Sequence, residues 1–327
     1  MQTIADAITQ CLSRCNISGR VTIALSGGVD SIALLNACHH LGRVFSADNA
    51  SNSPPILDFD AIHIHHGLSP NADDWANFCQ AECDKRGIKL DIIRVQINRA
   101  HTDGQGIEGI ARRLRYLAFA DHAAPTLLLG QHADDQAETV MHQLLRGTGL
   151  NGLSAMGEAR EYAPGKTLLR PLLAMSRADI DAYASEHQLA FIVDESNHDT
   201  TYTRNFLRHE VLPLLASRFP HYANALNRTA AHAAESAEMC EALAKIDLQW
   251  DGATTNVSAL DTLNLARQTN ALYHWLRWHD VAHLSHAQLQ TWAEQLFRES
   301  PTDKPHQAGG HGVLIVRRKN VISIKQN

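Results

Sequence analysis

Val21-Thr22-Ile23-Ala24-Leu25-Ser26-Gly27-Gly28-Val29-Asp30-Ser31 decides how this chain is read. Residues 21–25 form a short apolar run with β-branched members, the pattern of a buried strand. Gly27 and Gly28 let the backbone turn and leave room for close approach of a ligand. Residues 31–38, with Ile32, Leu34, Leu35 and Cys38, carry apolar side chains at helical spacing. Residues 26–30 therefore sit where strand hands over to helix. Unpaired N–H groups and the positive end of the helix dipole, about half an elementary charge, converge at such a junction. Ser26 and Ser31 add hydroxyl donors, and Asp30 adds a carboxylate within reach of a metal ion. The expectation is a pyrophosphate cradle made by Ser26, Gly27, Gly28, Val29, Asp30 and Ser31.

Two common phosphate loops are excluded. No lysine lies in the turn to meet a β- or γ-phosphate, as GxxxxGK(S/T) requires, and the GxGxxG spacing is absent. The SGGxDS string instead resembles the PP-loop of ATP pyrophosphatases. That resemblance implies ATP as cofactor, cleaved between its α- and β-phosphates so that AMP is left on the substrate.

The chain has 327 residues, which suggests about two domains, and 44% hydrophobic residues, enough for a sizeable core. Its first residues show neither the basic nor the apolar region of a signal peptide. No apolar run approaches the ~20 residues of a membrane span, so no membrane partner is expected. The six cysteines form no C-x-x-C pair and fit helix faces better than a disulfide framework. The expectation is a cytoplasmic protein with reduced thiols. A net charge of −6 argues against a globally basic nucleic-acid binder but not against a local basic face. Arg112, Arg113 and Arg115 cluster, followed by Arg146, Arg170, Arg177, Arg204 and Arg208.

Periodicity predicts helices over residues 1–16, 75–86, 107–122, 135–146, 177–187 and 204–215. It predicts strands over 59–65, 90–95 and 126–129, and a last one over 190–193. Residues 46–55 read as a polar surface loop, and the glycine-rich stretch 147–166 as a mobile loop or lid. The fold class expected is α/β: a doubly wound, mostly parallel, Rossmann-like sheet with ligands beyond the strand carboxyl ends. A second, mainly helical carboxy-terminal domain follows. The expected division is a nucleotide-binding catalytic domain over 1–219, a connecting helix over 220–244 and a helical substrate domain over 245–327. Within the last, helices are predicted over 263–280 and 285–298, and residues 312–324 read as a terminal β-hairpin.

Gly130-Gln131-His132-Ala133-Asp134-Asp135-Gln136-Ala137-Glu138-Thr139 follows the strand at 126–129, on the same sheet edge as the first loop. On a helix Asp135 and Glu138 share a face, as do Asp134 and Glu138. Aimed at a triphosphate these carboxylates would be repulsive unless Mg²⁺, which takes oxygen ligands, lay between. Asp30, Asp135 and Glu138 are therefore the candidate metal ligands. The competing reading makes Asp134 or Asp135 a helix N-cap and Glu138 its capping-box partner.

HxxDDxxET after a strand, with Leu145-Arg146-Gly147-Thr148-Gly149, is similar to the tRNA(Ile)-lysidine synthase family. So are His65-His66-Gly67-Leu68, residues 108–116 (EGIARRLRY), Arg170-Pro171-Leu172-Leu173, Asp194-Glu195-Ser196-Asn197 and Tyr202-Thr203-Arg204-Asn205-Phe206-Leu207-Arg208. The resemblance covers residues 20–215 in family order, and 245–300 more loosely as a substrate-binding domain. Many members continue into a further carboxy-terminal domain, so a short form or a truncated chain is expected here. The resemblance implies that ATP adenylates the 2-carbonyl oxygen of the wobble cytidine in isoleucine tRNA with a CAU anticodon. Free L-lysine then displaces AMP to form lysidine. Partners implied are that tRNA, lysine, ATP and Mg²⁺, and a homodimer stays open. Catalytic candidates are Asp30, His132 (as proton acceptor), Asp135 and Glu138. His65 joins the nucleotide-binding candidates, and Arg112, Arg115, Arg204 and Arg208 are RNA-binding candidates.

Other features read as structural. His65 and His66 suit a strand end near adenine, His279, His283 and His286 a surface, and Trp275 and Trp278 a core or a base-stacking platform. Arg317-Arg318-Lys319 reads as a solvated hairpin turn. Rival functions are a PP-loop tRNA thiolase, a small-molecule PP-loop amide ligase and a non-catalytic RNA-binding relative.

Overall fold

The computed structural model describes residues 3–47, 57–97, 106–252, 254–281, 284–297, 306–310 and 312–326. Strand and helix alternate as α1 (Ile4–Arg14), β1 (Gly19–Ala24), α2 (Val29–Ala47), β2 (Leu57–His65), α3 (Ala72–Asp84) and β3 (Leu90–Arg94). They continue as α4 (Gly106–Asp121), β4 (Thr126–Leu128), α5 (Ala133–Leu145), α6 (Leu150–Leu153), β5 (Ala159–Ala163), β6 (Lys166–Leu169) and α7 (Arg177–Glu186). The sheet order is β3-β2-β1-β4-β6-β5, parallel throughout except for β5 against β6. The chain builds outward from β1 to β3, then returns to place β4 on the other side of β1. Ligand clefts in open α/β sheets form at such a reversal, beyond the strand carboxyl ends. The doubly wound, mostly parallel sheet is thus as expected.

Period-two alternation assigns the two faces. Leu128 and Leu169 join Ile8, Leu12, Ile32, Leu35 and Ile180 beneath α1, α2 and α7. Leu127 and Leu168 pack on the other face with Ile62, Ala118 and Phe119 beneath α4. The central strands β1 and β4 are buried because helical layers cover both faces, while the edge strands β3 and β5 stay partly exposed.

Beyond α7 come a 3-10 turn (Glu195–His198), α8 (Thr203–Phe206), a π turn (Leu207–Val211), α9 (Leu212–Arg218) and the long α10 (Tyr222–Asp247). The chain divides into two compact units at Ala230–Ala231, inside α10. The first unit runs past residue 219 because Asn227 Nδ2 donates to Ala133 O at 3.1 Å. In the second unit α11 (Leu265–Trp278) and α12 (His286–Phe297) pack with an antiparallel sheet of β7 (His306–Gly310), β8 (Val313–Arg318) and β9 (Val321–Gln326). Its core includes Leu272, Trp275, Trp292, Phe297 and Ile315.

Several local expectations are corrected. The stretch 147–166 is ordered structure: Gln136 clamps Met156 through both its amide atoms, each at 2.9 Å, and β5 and β6 close a hairpin around Gly165. Residues 190–193 make no strand, since the Ile192 N–H goes to Gly27 O at 2.9 Å instead of to a sheet edge. The helix expected over 204–215 shifts register. Pro213 has no N–H to give, and Leu212 N bonds back to Leu207 O, five residues away. The terminal hairpin gains a third strand. Arg317 is no solvated turn residue: it is 1% exposed, pairs with Asp261 and donates to Leu296 O at 2.9 Å. Trp275 is core, while half-buried Trp278 stacks on Trp250 at 5.0 Å. Most of the loop expected at 46–55 lies outside the described residues, as do His283 and Arg298.

Candidate active site

β1 hands over to α2 through Leu25, Ser26, Gly27 and Gly28. Gly27 has φ +90, and a Cβ there would collide with Ile192 Cδ1, so only glycine fits. The Ser31 hydroxyl accepts from the amides of Gly27 (3.1 Å) and Ser26 (3.3 Å) and donates to Gly28 O (2.9 Å). Ser31 thus braces the loop from within. Val29 is buried, so its side chain belongs to the core and only its amide faces the turn. The amides of Val29, Asp30 and Ser31 open α2, where first-turn N–H groups have no intrahelical acceptor. Exposed Ser26 completes the cradle.

The second motif touches the first. A Cβ on Gly130 would lie 2.9 Å from Asp30 O, so the ends of β1 and β4 meet only because residue 130 has no side chain. Two residues on, His132 is the N-cap of α5: Nδ1 accepts from Asp134 N at 3.3 Å, while His132 N donates to Asp135 Oδ2 at 3.1 Å. The cap is thus His132 with Asp135 as its box partner, and not Asp134 with Glu138. His132 Nε2 lies 3.6 Å from Asp30 Oδ1 and 3.4 Å from Asp135 Oδ2. Burial opposes charge on this imidazole, but Asp134, Asp135 and Asp30 outweigh it and raise its pKa. The cap needs the Nδ1 lone pair, so a second proton would cost the cap. The same carboxylates that raise its pKa favour the protonated ring, so His132 remains a candidate proton acceptor.

Asp30 Oδ1 is buried without a hydrogen bond; Arg177 Nη1 stands 3.7 Å away. Burial raises the Asp30 pKa, with His132 and Arg177 acting in the opposite direction. Asp134 faces elsewhere, accepting from Arg177 N at 2.8 Å.

Glu138, 2% exposed, is held by two guanidinia. Arg204 Nε and Arg208 Nη2 each donate to its Oε2 at 2.9 Å, and Arg208 Nε donates to Oε1. The same arginines reach Asp135 Oδ1, Arg208 at 3.0 Å and Arg204 at 3.3 Å. Two expectations change together: Arg204 and Arg208 face inward to carboxylates instead of outward to RNA, and Glu138 is neutralised by cations instead of free for a metal. The reason is packing, which brings the π turn onto α5. Among the described residues no group of three His, Cys, Asp or Glu is placed to hold a metal ion. Mg²⁺ needs only one or two carboxylates when phosphates and waters complete its shell. Asp30, with its orphaned oxygen, fits that smaller set, whereas Asp135 is held by the same arginines as Glu138 and would have to release them to join it.

The remaining candidates are dispersed. His65, 8% exposed, lies 3.2 Å from both Asp73 Oδ1 and Arg94 Nη1 at the end of β2. Arg112 is exposed on α4, and Arg115 is half-buried near Arg204 and His66. Sequence reasoning missed Arg177 and Asn227 as neighbours of this site, and Ile192 and Cys79 as the floor under Gly27. Burial pushes the Cys79 thiol up to about 12, so it is inert.

Comparison with known proteins places this arrangement. The family model described as a PP-loop domain matches residues 1–215, and the one described as the TilS substrate binding domain matches residues 256–321. The chain is 44% identical over 261 residues to the tRNA(Ile)-lysidine synthase of Nitrosomonas europaea, covering 79% of this chain and 54% of that protein. It is 42% identical over 306 residues to the one from Burkholderia pseudomallei, covering 90% of this chain and 59% of that protein. Among solved structures it resembles the U34-tRNA thiolase NcsA from Methanococcus maripaludis in fold, with TM-score 0.57 at 16% identity over 71% of this chain and 78% of that one. The chain therefore belongs to the PP-loop domain family, and it is similar to tRNA(Ile)-lysidine synthases in both of its matched regions. It spans somewhat more than half the length of these two relatives. Among the described residues no helix is long and apolar enough to cross a membrane.

Proposed function

We propose that this chain ligates free L-lysine to the wobble cytidine of isoleucine tRNA bearing a CAU anticodon, using ATP and releasing pyrophosphate and AMP. The observation that carries this is the contact of two motifs at the sheet's switch point, the Ser26–Ser31 loop and the His132-capped start of α5. The family resemblance of both units supports it.

In this reading the α2 amides and Ser26 hold the ATP phosphates. Asp30, joined by Asp135 once that residue releases its arginines, holds Mg²⁺, which when bound offsets the charge of the phosphates. The cytosine 2-carbonyl oxygen attacks the α-phosphorus, and pyrophosphate leaves with the bonding pair. The fixed amides stabilise the charge that develops there. The lysine ε-amine then attacks C2, and the C–O bond breaks with AMP as leaving group. That amine must be neutral, and its ordinary pKa is about 10.4, so one proton must be taken up. His132, whose pKa Asp30 and Asp135 raise, stands beside them as the proton acceptor. Glu138 anchors Arg204 and Arg208 beside them. A thiolase reading lacks a reactive thiol here, since Cys79, the cysteine under the loop, is inert.

The test is incubation of the protein with tRNA(Ile) CAU transcript, ATP and radiolabelled lysine. Lysine incorporation matched by equal AMP and pyrophosphate is expected. Pyrophosphate release with no lysine in the tRNA would overturn the assignment.

A further inference from the structure

We propose that Tyr116 assembles Arg112, Arg160 and Arg170 into a pocket for a backbone phosphate of RNA, at the outer edge of the sheet. The inference rests on the reading of this chain as a tRNA-modifying enzyme and adds a phosphate site that the reaction chemistry does not itself require.

The three guanidinia come from separate elements, α4, β5 and the segment after β6. Arg112 and Arg160 stand 5.2 and 5.0 Å from the centre of the Tyr116 ring, within cation–π range. Arg170 is 2% exposed and hydrogen-bonds only neutral oxygens, Gln131 Oε1 at 2.5 Å and Gly157 O at 2.6 Å. Burial lowers its pKa, Arg160 and Arg112 push it the same way, and the Tyr116 oxygen partly offsets them. Among the described residues no carboxylate pairs with any of the three. The acids nearest Arg160 in sequence are engaged elsewhere: Glu158 pairs with Arg14, and Glu161 accepts from Gly165 N at 2.9 Å.

A buried cation without a counter-charge is costly, and two more cations beside it add repulsion. A fold that uses a tyrosine to gather three guanidinia is shaped for an anion with several acceptor oxygens, and arginine forks match phosphate. Position decides which phosphate. β5 lies three strand spacings from β1, roughly 14 Å at about 4.8 Å each. ATP phosphates held at the loop after β1 are served there. An anion with charges repeated along a strand reaches both places, and that is a nucleic-acid backbone.

The experiment measures binding of a tRNA pool to the full chain across a salt series, with ATP and inorganic pyrophosphate binding measured beside it. Arg112→Gln and Arg160→Gln, both exposed, are expected to weaken every tRNA alike and to lower the log–log salt slope by roughly 0.7–0.9 per lost phosphate contact. Affinity for ATP and pyrophosphate should not change. Tyr116→Leu should reproduce the loss without removing a charge, and Tyr116→Phe, which keeps the ring, should retain most binding. Unchanged slopes in the arginine variants overturn the pocket. Loss confined to ATP or pyrophosphate assigns it to those anions instead, and absence of tRNA binding by the parent chain also overturns it. Lysine incorporation is read separately, so a chain that binds tRNA through these arginines but transfers no lysine would refute the proposed reaction and leave the pocket standing.

Discussion

A Cβ on Gly130 would lie 2.9 Å from the carbonyl oxygen of Asp30, which makes residue 130 the hinge pin between the two motif-bearing strand ends. That oxygen is backbone and cannot swing aside as a flexible side chain would. Gly130→Ala should cost about 1–3 kcal/mol as an overpacking change. It should also cut pyrophosphate release more than stability alone explains, because the carboxylate of Asp30 moves with its backbone. Paired thermal melts and initial rates check this; a variant with parental rate and midpoint would show that the two loops tolerate separation.

Asp30 is expected to trade stability for function. Its Oδ1 is buried without a hydrogen bond, and burial raises its pKa, so the charged form is penalised in the fold. Asp30→Asn should leave the melting midpoint unchanged or higher while lowering pyrophosphate release at least ~100-fold, about 2.7 kcal/mol. Activity within tenfold of the parent would remove Asp30 from the reaction.

Glu138 separates a structural ion pair from a metal ligand. It is 2% exposed, with Arg204 and Arg208 at 40% and 33%. Removing one partner of a fully buried pair costs ~3–5 kcal/mol, and the partial exposure of these arginines reduces that to about 2 kcal/mol. Glu138→Gln should therefore lower denaturant stability in buffer containing EDTA. A loss seen only when Mg²⁺ is present would reinstate Glu138 as a ligand.

His66 should give the fold an acid-side slope. Burial, then Arg115, His63 and His65, push its pKa down to about 4 from an ordinary 6.5. His63, lowered by burial, acts in the same direction. The unfolded chain binds the extra proton first as pH falls, so stability is full above about 6.5 and declines toward 4. Urea midpoints at pH 7 and pH 5 should differ more for the parent than for His66→Asn. Equal differences would place the slope elsewhere.

Much of the sheet was legible because its signals are local. The β-branched run at 21–25, the glycines after it and the helical spacing beyond depend on residues within a few positions, and so do the strand at 126–128 and the helix after it. Where local signals misled, a long-range partner had taken over. Residues 190–193 look like a strand, yet Ile192 spends its N–H on Gly27, 165 positions earlier in the numbering, and the glycines of 147–166 suggest a lid although Gln136 pins Met156.

By itself the sequence determined the fold class and the pairing of a glycine-rich loop with an acidic helix start on one sheet edge. Only the tertiary structure decided what each charged side chain faces. Arg204 and Glu138 are 66 positions apart, and Arg208 and Glu138 70 apart, and they meet because helix packing brings the π turn onto α5. Arg317 looks like a turn residue in sequence and is interior because Asp261 and the Leu296 carbonyl wait there. Secondary structure follows from neighbours in the chain, whereas the partner of a long charged side chain is selected by burial, and burial exists only once the elements have packed.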